Sequence, residues 1–177
     1  MGTMQPEALL TAGRVVLRPR RDEDVEPLIG ILADSEVMKW AVYDRQLSRT
    51  EALAFISRAF APRIEMLGMH VISEAPTTRA VGFSGFRKCA LLGGEDVEFG
   101  WVLAGEFHGR GFATVLGQAL IECGLNRSGL RRVLAACHPS NAASEHVLRD
   151  KLKMEFVAEV EPQPGFGGGC TARSLQP

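Results

Sequence analysis

Three short segments hold residue types that can do chemistry together. The first is His108-Gly-Arg-Gly-Phe-Ala-Thr114, which lies between an apolar run and a helical pattern. Glycines at 109 and 111 let the backbone turn tightly and come close to a ligand. A helix starting just behind them aims its unpaired N–H groups and the positive end of its dipole at the turn. That combination suits a phosphate or pyrophosphate, with Arg110 available for a charged contact. The same glycines also suit a plain strand-to-helix turn. A Walker loop needs a lysine after its second glycine, and none is there. Gly109-x-Gly111-x-x-Thr114 has the outline of a shortened dinucleotide fingerprint. However, the acid expected ~20 residues on is replaced by Arg131 and Arg132. An NADP-linked reductase is therefore the weaker alternative.

The second segment is Pro139-Ser-Asn141-Ala-Ala-Ser144. Asn141 is a good helix N-cap; its functional reading is a polar edge at the mouth of a cleft between two parallel strands. The third is Glu95-Asp-Val-Glu98-Phe-Gly-Trp101. Period two puts Val97, Phe99 and Trp101 on one face and Asp96, Glu98 and Gly100 on the other. An acid in mid-strand either faces solvent or does chemistry, and the residues alone favour the solvated face. His70, His138 and His146 lack metal-ligand spacing, so no metal is expected.

These segments need a scaffold, and the flanking patterns supply one. Gly13 to Arg18 reads as a strand stopped by Pro19. Asp22 to Asp34 reads as an amphipathic helix with acids in its first turn and an awkward Pro27. Ser48-Arg-Thr-Glu51 matches a capping box for a second helix, ended by Pro62. Leu67–Ser73, Ala80–Arg87 and Glu95–Leu103 read as strands, with a turn at Gly93-Gly94, and their spacing suggests an antiparallel meander. Then follow a helix over Phe112–Asn126, a strand over Arg131–Cys137, a helix over Asn141–Leu152 and a short strand over Phe156–Val160. Strand, helix, strand, helix, strand is a crossover pattern that favours parallel pairing. The fold class is α/β (mixed): a mixed, mostly antiparallel central sheet with helices on both faces. Residues 14–160 form the domain; 161–177 form a Gly/Pro-rich tail with at most a weak last strand over Cys170–Leu175.

Composition narrows the function classes. The chain has 177 residues, 46% hydrophobic and 23% charged, which disfavours disorder and fibrous folds. Twenty basic against 21 acidic residues give a net charge of −1, so nucleic acid and anionic membranes are not expected partners. No apolar run approaches the roughly 18 residues of a membrane span. Met1 to Leu10 shows no signal peptide. Cys89, Cys123, Cys137 and Cys170 are scattered and read as reduced thiols of a cytoplasmic protein.

In this order and at this spacing, the segments resemble the GNAT superfamily of N-acetyltransferases. They are most similar to its branch of Rim-type ribosomal-protein N-terminal acetyltransferases. The resemblance is carried by Val15-Val-Leu-Arg18-Pro19 with Asp22, Val81-Gly-Phe-Ser-Gly-Phe86, Glu98-Phe-Gly-Trp-Val-Leu103, His108 to Thr114, Asn141-Ala-Ala-Ser144 and Val147-Leu148. It implies a single-domain GNAT-like fold, with the sheet splayed between the strands near Phe99–Leu103 and Arg131–Cys137. It implies acetyl-CoA as co-substrate, with the backbone of His108, Gly109, Arg110, Gly111, Phe112, Ala113 and Thr114 on the pyrophosphate. Trp101, Val102, Asn141 and Ser144 would lie along the pantetheine arm. Glu98 matches the family's general base, Ser144 or water would protonate the thiolate, and backbone N–H groups near Gly100–Val102 would hold the oxyanion. The acceptor would be a small-molecule or peptide amine, chosen by the N-terminal half, with Trp40 and Tyr43 in its pocket. The alternative is an acyl-CoA-binding module without catalysis.

Three departures stand out. His108 occupies a position where Gln or Arg is usual, and the only tyrosine, Tyr43, is far from the family's tyrosine acid. Arg-Asp-Lys-Leu-Lys-Met-Glu-Phe after Leu148 carries one extra residue, with Lys153 in place of a helix-ending glycine. A poor last strand would leave a sheet edge exposed, from which a homodimer is expected.

Overall fold

The structure is a computed structural model that describes residues 8–41, 43–60, 67–89, 96–160 and 170–176. The expected stop at Pro62, the Gly93-Gly94 turn and the glycine run at 165–169 lie outside the described residues. Eight strands form one sheet: β1 (Leu10–Ala12), β2 (Val15–Arg18), β3 (Gly68–Glu74), β4 (Arg79–Cys89), β5 (Asp96–Leu103), β6 (Val133–Cys137), β7 (Glu155–Val160) and β8 (Cys170–Leu175). Their order is β1-β2-β3-β4-β5-β6-β8-β7. Every neighbouring pair is antiparallel except β5 and β6.

Helices cover both faces. On one face lie α1 (Val25–Leu32), α2 (Ser35–Met38) and α3 (Arg49–Ala59), which pack Leu28, Leu32 and Ile56 against Val71, Ala80 and Phe83 of the sheet. On the other, α4 (Phe112–Glu122) buries Phe112, Leu116 and Leu120 against Leu17, Phe86 and Phe99. The short α5 (Ala142–His146) leads into a turn whose Leu148 joins the same core.

Local chemistry explains the boundaries. The expected Asp22–Asp34 helix splits into a 3₁₀ turn at Asp22–Asp24 and α1. Pro27 falls in the first turn of α1, where a backbone N–H has no helical acceptor, so the proline is tolerated. Asp34 then caps α2, its Oδ1 accepting from Glu36 N at 2.9 Å, an element the sequence reading missed. The capping box forms as expected: Glu51 N–H donates to Ser48 Oγ at 3.3 Å and Ser48 N–H to Glu51 Oε2 at 2.8 Å.

The C-terminal region corrects one expectation. The last strand expected over Cys170–Leu175 forms, but it does not leave its own edge exposed: it inserts between β6 and β7, pairing with both. The outer edge is β7, where Phe156 is exposed. Arg173 of β8 locks this arrangement. Its buried guanidinium donates from Nε to Glu145 Oε2 at 3.1 Å and from Nη1 to the carbonyl of Met154 at 3.1 Å.

The extra residue after Leu148 also finds its place. Val147–Lys151 forms a π turn, in which Leu152 N–H donates to the Val147 carbonyl at 2.9 Å. Lys153 then adopts φ 58°, the left-handed conformation a glycine would normally take.

Candidate active site

The site is built where the sheet changes from antiparallel to parallel. β5 and β6 share one register position, Glu98 opposite Leu134. The ladder is not continued, although β5 runs on to Leu103 and β6 to Cys137. At the closed end Arg132 grips Asp96 with two hydrogen bonds of 2.7 and 2.9 Å. Past Glu98 a cleft of 710 Å³ occupies the gap, within the range of small-molecule sites. Unpaired strand backbone needs partners, so this gap offers N–H and C=O groups of β5 to an extended ligand. Trp101 and Val102 line it.

One end of the cleft is the turn before α4. Gly109 and Gly111 have φ 69° and 80°, where a Cβ is strained. Gly111 is the N-cap and supplies no side-chain acceptor. The first helical bond runs from Val115 N–H to the Gly111 carbonyl at 3.1 Å. The N–H groups of Phe112, Ala113 and Thr114 therefore have no helical acceptor, and all three residues line the cleft with Gly109, Gly111 and His108. This cradle fits an anionic diphosphate. His108 Nε2 donates to the Leu103 carbonyl at 2.9 Å, tying the turn to the end of β5.

Arg110 is the one residue of the 108–114 turn outside the lining. Its guanidinium pairs with Glu74 at 3.1 Å and lies over the rings of Phe107 and Phe112. Its side chain is thus committed to the sheet side of the loop.

Glu98 sits at the other end. The solvated-face expectation is overturned, because Glu98 is only 5% exposed. Arg87, directly opposite on β4, donates from Nε to Glu98 Oε1. Oε2 is buried and finds no hydrogen-bond partner among the described residues. Burial pushes the carboxyl up from its ordinary pKa, and the Arg87 guanidinium opposes that shift without cancelling it. A carboxylate so raised is a stronger base than an ordinary surface acid.

The cleft mouth joins both halves of the chain. Trp40, just after α2, packs its ring against His138 at the end of β6, with ring centroids 5.0 Å apart and the planes tilted by 38°. The Ser140 N–H donates to His138 Nδ1 at 3.1 Å. Asn141 caps α5, its Oδ1 accepting from Ser144 N at 3.2 Å; both residues line the cleft. Tyr43 does not line it. Tyr43 packs edge-on against Phe55 and its hydroxyl accepts from Arg58 at 2.9 Å. Sequence reasoning missed Arg87 and the Trp40–His138 contact. The alternation of β4 could have placed Arg87 on the face of Phe83, but only the β4–β5 register puts it opposite Glu98. Among the described residues, no cluster of His, Cys, Asp and Glu could hold a metal ion, and no helix is long and apolar enough to cross a membrane.

Known proteins share this fold. The family model described as acetyltransferase (GNAT) domain matches residues 14–154. The chain is 26% identical over 140 residues to the uncharacterized N-acetyltransferase YnaD of Bacillus subtilis, covering 79% of each chain. Its fold is similar to that of a GNAT-family acetyltransferase from Bacillus anthracis, at TM-score 0.79 and 21% identity, with 94% of this chain and 97% of that one covered. It is also similar to that of spermidine N-acetyltransferase from Vibrio cholerae, solved with CoA and spermine. There the TM-score is 0.72 and the identity 14%, with 92% and 95% covered. The splayed strands, the glycine-turned helix start and a family match over most of the sequence converge: the chain belongs to the GNAT acetyltransferase family and is an acetyl-CoA-dependent N-acetyltransferase.

Proposed function

We propose that this enzyme acetylates a neutral or mildly polar primary amine, a peptide N-terminus or a small molecule, with Glu98 as general base. The observation that carries this reading is the buried Glu98 carboxylate, one oxygen unpartnered, in a cleft whose far end is the uncapped start of α4. The N–H groups of the 108–114 turn hold the diphosphate of acetyl-CoA. The gap-facing edge of β5 at Trp101 and Val102 and the polar edge of Asn141 and Ser144 hold the pantetheine arm. Backbone N–H groups near Gly100–Val102 receive the carbonyl oxygen as it gains charge.

The neutral amine attacks the thioester carbonyl, a C–N bond forms, and the nitrogen gives its extra proton to Glu98, directly or through water. The C–S bond then breaks, and Ser144 or water protonates the thiolate. This suits an α-amine. With a reference pKa of about 7.7–8.0, roughly a third of it is neutral at pH 7.5, against about 0.1% of a lysine at 10.4.

The charges in the cleft wall support the choice of acceptor. Glu36 pairs with Lys39 at 2.5 Å, and Glu98 with Arg87, so no dense acidic patch is left for a polycation. Trp40 stands at the mouth to contact the acceptor. A second copy of the chain would cover the β7 edge beside Phe156, so we also place the enzyme as a homodimer, working in the cytoplasm where acetyl-CoA is supplied.

The test is an acceptor panel of peptides with free N-termini, small amines, lysine side-chain mimics and polyamines, with acetyl-CoA, read by release of free thiol. Turnover concentrated on α-amines supports the reading. Preference for spermidine or spermine refutes it.

A further inference from the structure

Glu98 and Arg87 face each other across the β4–β5 ladder. We propose that Arg87 is a positioning residue for acetyl transfer: by donating its Nε–H to Glu98 Oε1, it turns the carboxylate so that Oε2 alone receives the proton from the attacking nitrogen. The inference rests on the reading of Glu98 as the base and adds to it the atom and the group that selects it.

The geometry supplies the argument. An isolated carboxylate presents two equivalent oxygens, and its terminal torsion is broad and soft. Here the guanidinium comes from the register partner on the adjacent strand, so strand pairing itself sets its place. Once Oε1 is taken, Oε2 remains the buried, unpartnered oxygen in a residue that lines the cleft. Buried polar atoms without partners are rare, and an acceptor N–H supplies the missing partner. The proton passes from nitrogen to Oε2 as the C–N bond is completed. Arg87 keeps its own protons throughout, because a guanidinium is not deprotonated in proteins.

Charge works in the same direction. Burial favours the protonated carboxyl, which cannot act as a base, and the Arg87 cation favours the ionised form. The other charged groups near the site have their own partners or stand at its walls. On β5, Asp96 is held by Arg132. On α2, Glu36 and Lys39 pair with each other. At the end of β6, His138 packs against Trp40. At the end of α5, His146 pairs with Asp150, while Lys151 lies at the cleft wall.

The experiment uses the full chain as Arg87→Met, Arg87→Lys, Glu98→Gln and the double variant Arg87→Met/Glu98→Gln, with folding checked by circular dichroism. The first readout needs no acceptor. In protein labelled with ¹³C at glutamate carboxyls, the Glu98 signal is assigned by its loss in Glu98→Gln and titrated. In Arg87→Met its midpoint should rise by about one pH unit, the lower end for losing an adjacent opposite charge. The second readout is kcat against pH with the best amine of the acceptor panel. The acidic limb should move up by the same amount, with the acetyl-CoA KM unchanged. Arg87→Lys keeps the charge but not the planar donor. It should restore much of the titration midpoint and still run about tenfold slower, part of the 10²-fold a general base supplies. The double variant should be no slower than Glu98→Gln alone. An unmoved midpoint, a further loss in the double variant, or a raised acceptor KM with an unmoved acidic limb would each overturn the role of Arg87. If Glu98→Gln itself is as fast as the wild type, the base assignment fails first. If it is slow while Arg87→Met keeps the wild-type profile, only the inference about Arg87 fails.

Discussion

Gly111→Val separates an anion cradle from a plain turn. Gly111 has φ 80°, and a Cβ built there meets no atom within 4 Å. The substitution therefore costs backbone strain of about 1–2 kcal/mol without a clash inside the protein, so the variant should fold. The valine side chain then projects from the residue that begins α4 and lines the cleft. Hydrogen bonds from backbone N–H to a charged group contribute about 1.5–3 kcal/mol each. Losing one predicts a rise in acetyl-CoA Kd of about ten- to a hundredfold, since each factor of ten is about 1.4 kcal/mol. Isothermal calorimetry with CoA, dephospho-CoA and pantetheine locates the loss. The wild-type to variant ratio should stay large for both ligands that carry the pyrophosphate and fall to near one for pantetheine. An unchanged CoA affinity in a folded variant, or an equal loss with pantetheine, would refute the cradle.

Three further outcomes are expected. Glu98→Gln keeps the side-chain shape and should lower kcat by roughly 10²-fold, with little change in acetyl-CoA affinity. The raised carboxyl is protonated in acid and ionised above its pKa, so wild-type kcat should climb with pH through a limb the variant lacks. The gap should narrow in alkali, where the acceptor is already neutral; a loss constant across pH would mean a structural role. Trp40→Ala should raise acceptor KM and leave acetyl-CoA KM nearly fixed, whereas Tyr43→Ala, outside the cleft, should lower thermal stability and leave both KM values unchanged. Lys153→Gly should relieve the left-handed strain at φ 58° and gain up to about 1 kcal/mol, the strain relieved less the glycine entropy, seen as a Tm raised by a few degrees.

What the sequence revealed is local, and what it concealed depends on register. The helix before Pro62 was legible because Ser48 and Glu51 close their box within one turn. The 108–114 turn was legible because glycine is needed at φ 69° and 80° wherever the chain goes next. Glu98 was placed on the correct face of its strand, yet period two alone could not tell whether α1–α3 or water covers that face. Arg87 became visible only with the β4–β5 pairing, eleven residues apart in sequence but opposite in space. The Cys170–Leu175 strand was misplaced for the same reason. Its weak pattern suggested an edge, but Arg173 reaches Glu145 and its backbone bonds on both sides, so pairing outweighs poor β-propensity.

The insertion of β8 bears directly on the chemistry. β6 must accept an antiparallel neighbour on one side and remain parallel to β5 on the other. β8 pairs with β6 at every position from Val133 to Cys137, which satisfies and stiffens that flank. β5 is held with equal completeness by β4, from Asp96 through Leu103. The two strands are thus each braced from outside and joined to each other at a single pairing position, with the Asp96–Arg132 clamp at the closed end. A gap between two braced strands cannot close to satisfy its own backbone, so its N–H and C=O groups stay available for an extended ligand. This predicts that loosening the outer brace distorts the cleft away from the width an extended ligand needs, rather than removing a contact. Arg173→Met should therefore weaken acetyl-CoA binding even though Arg173 is absent from the cleft wall, and amide exchange should quicken in β6 along with β8. Unaltered protection of β6 in that variant would show that the splay is set by β5 and the 108–114 turn alone.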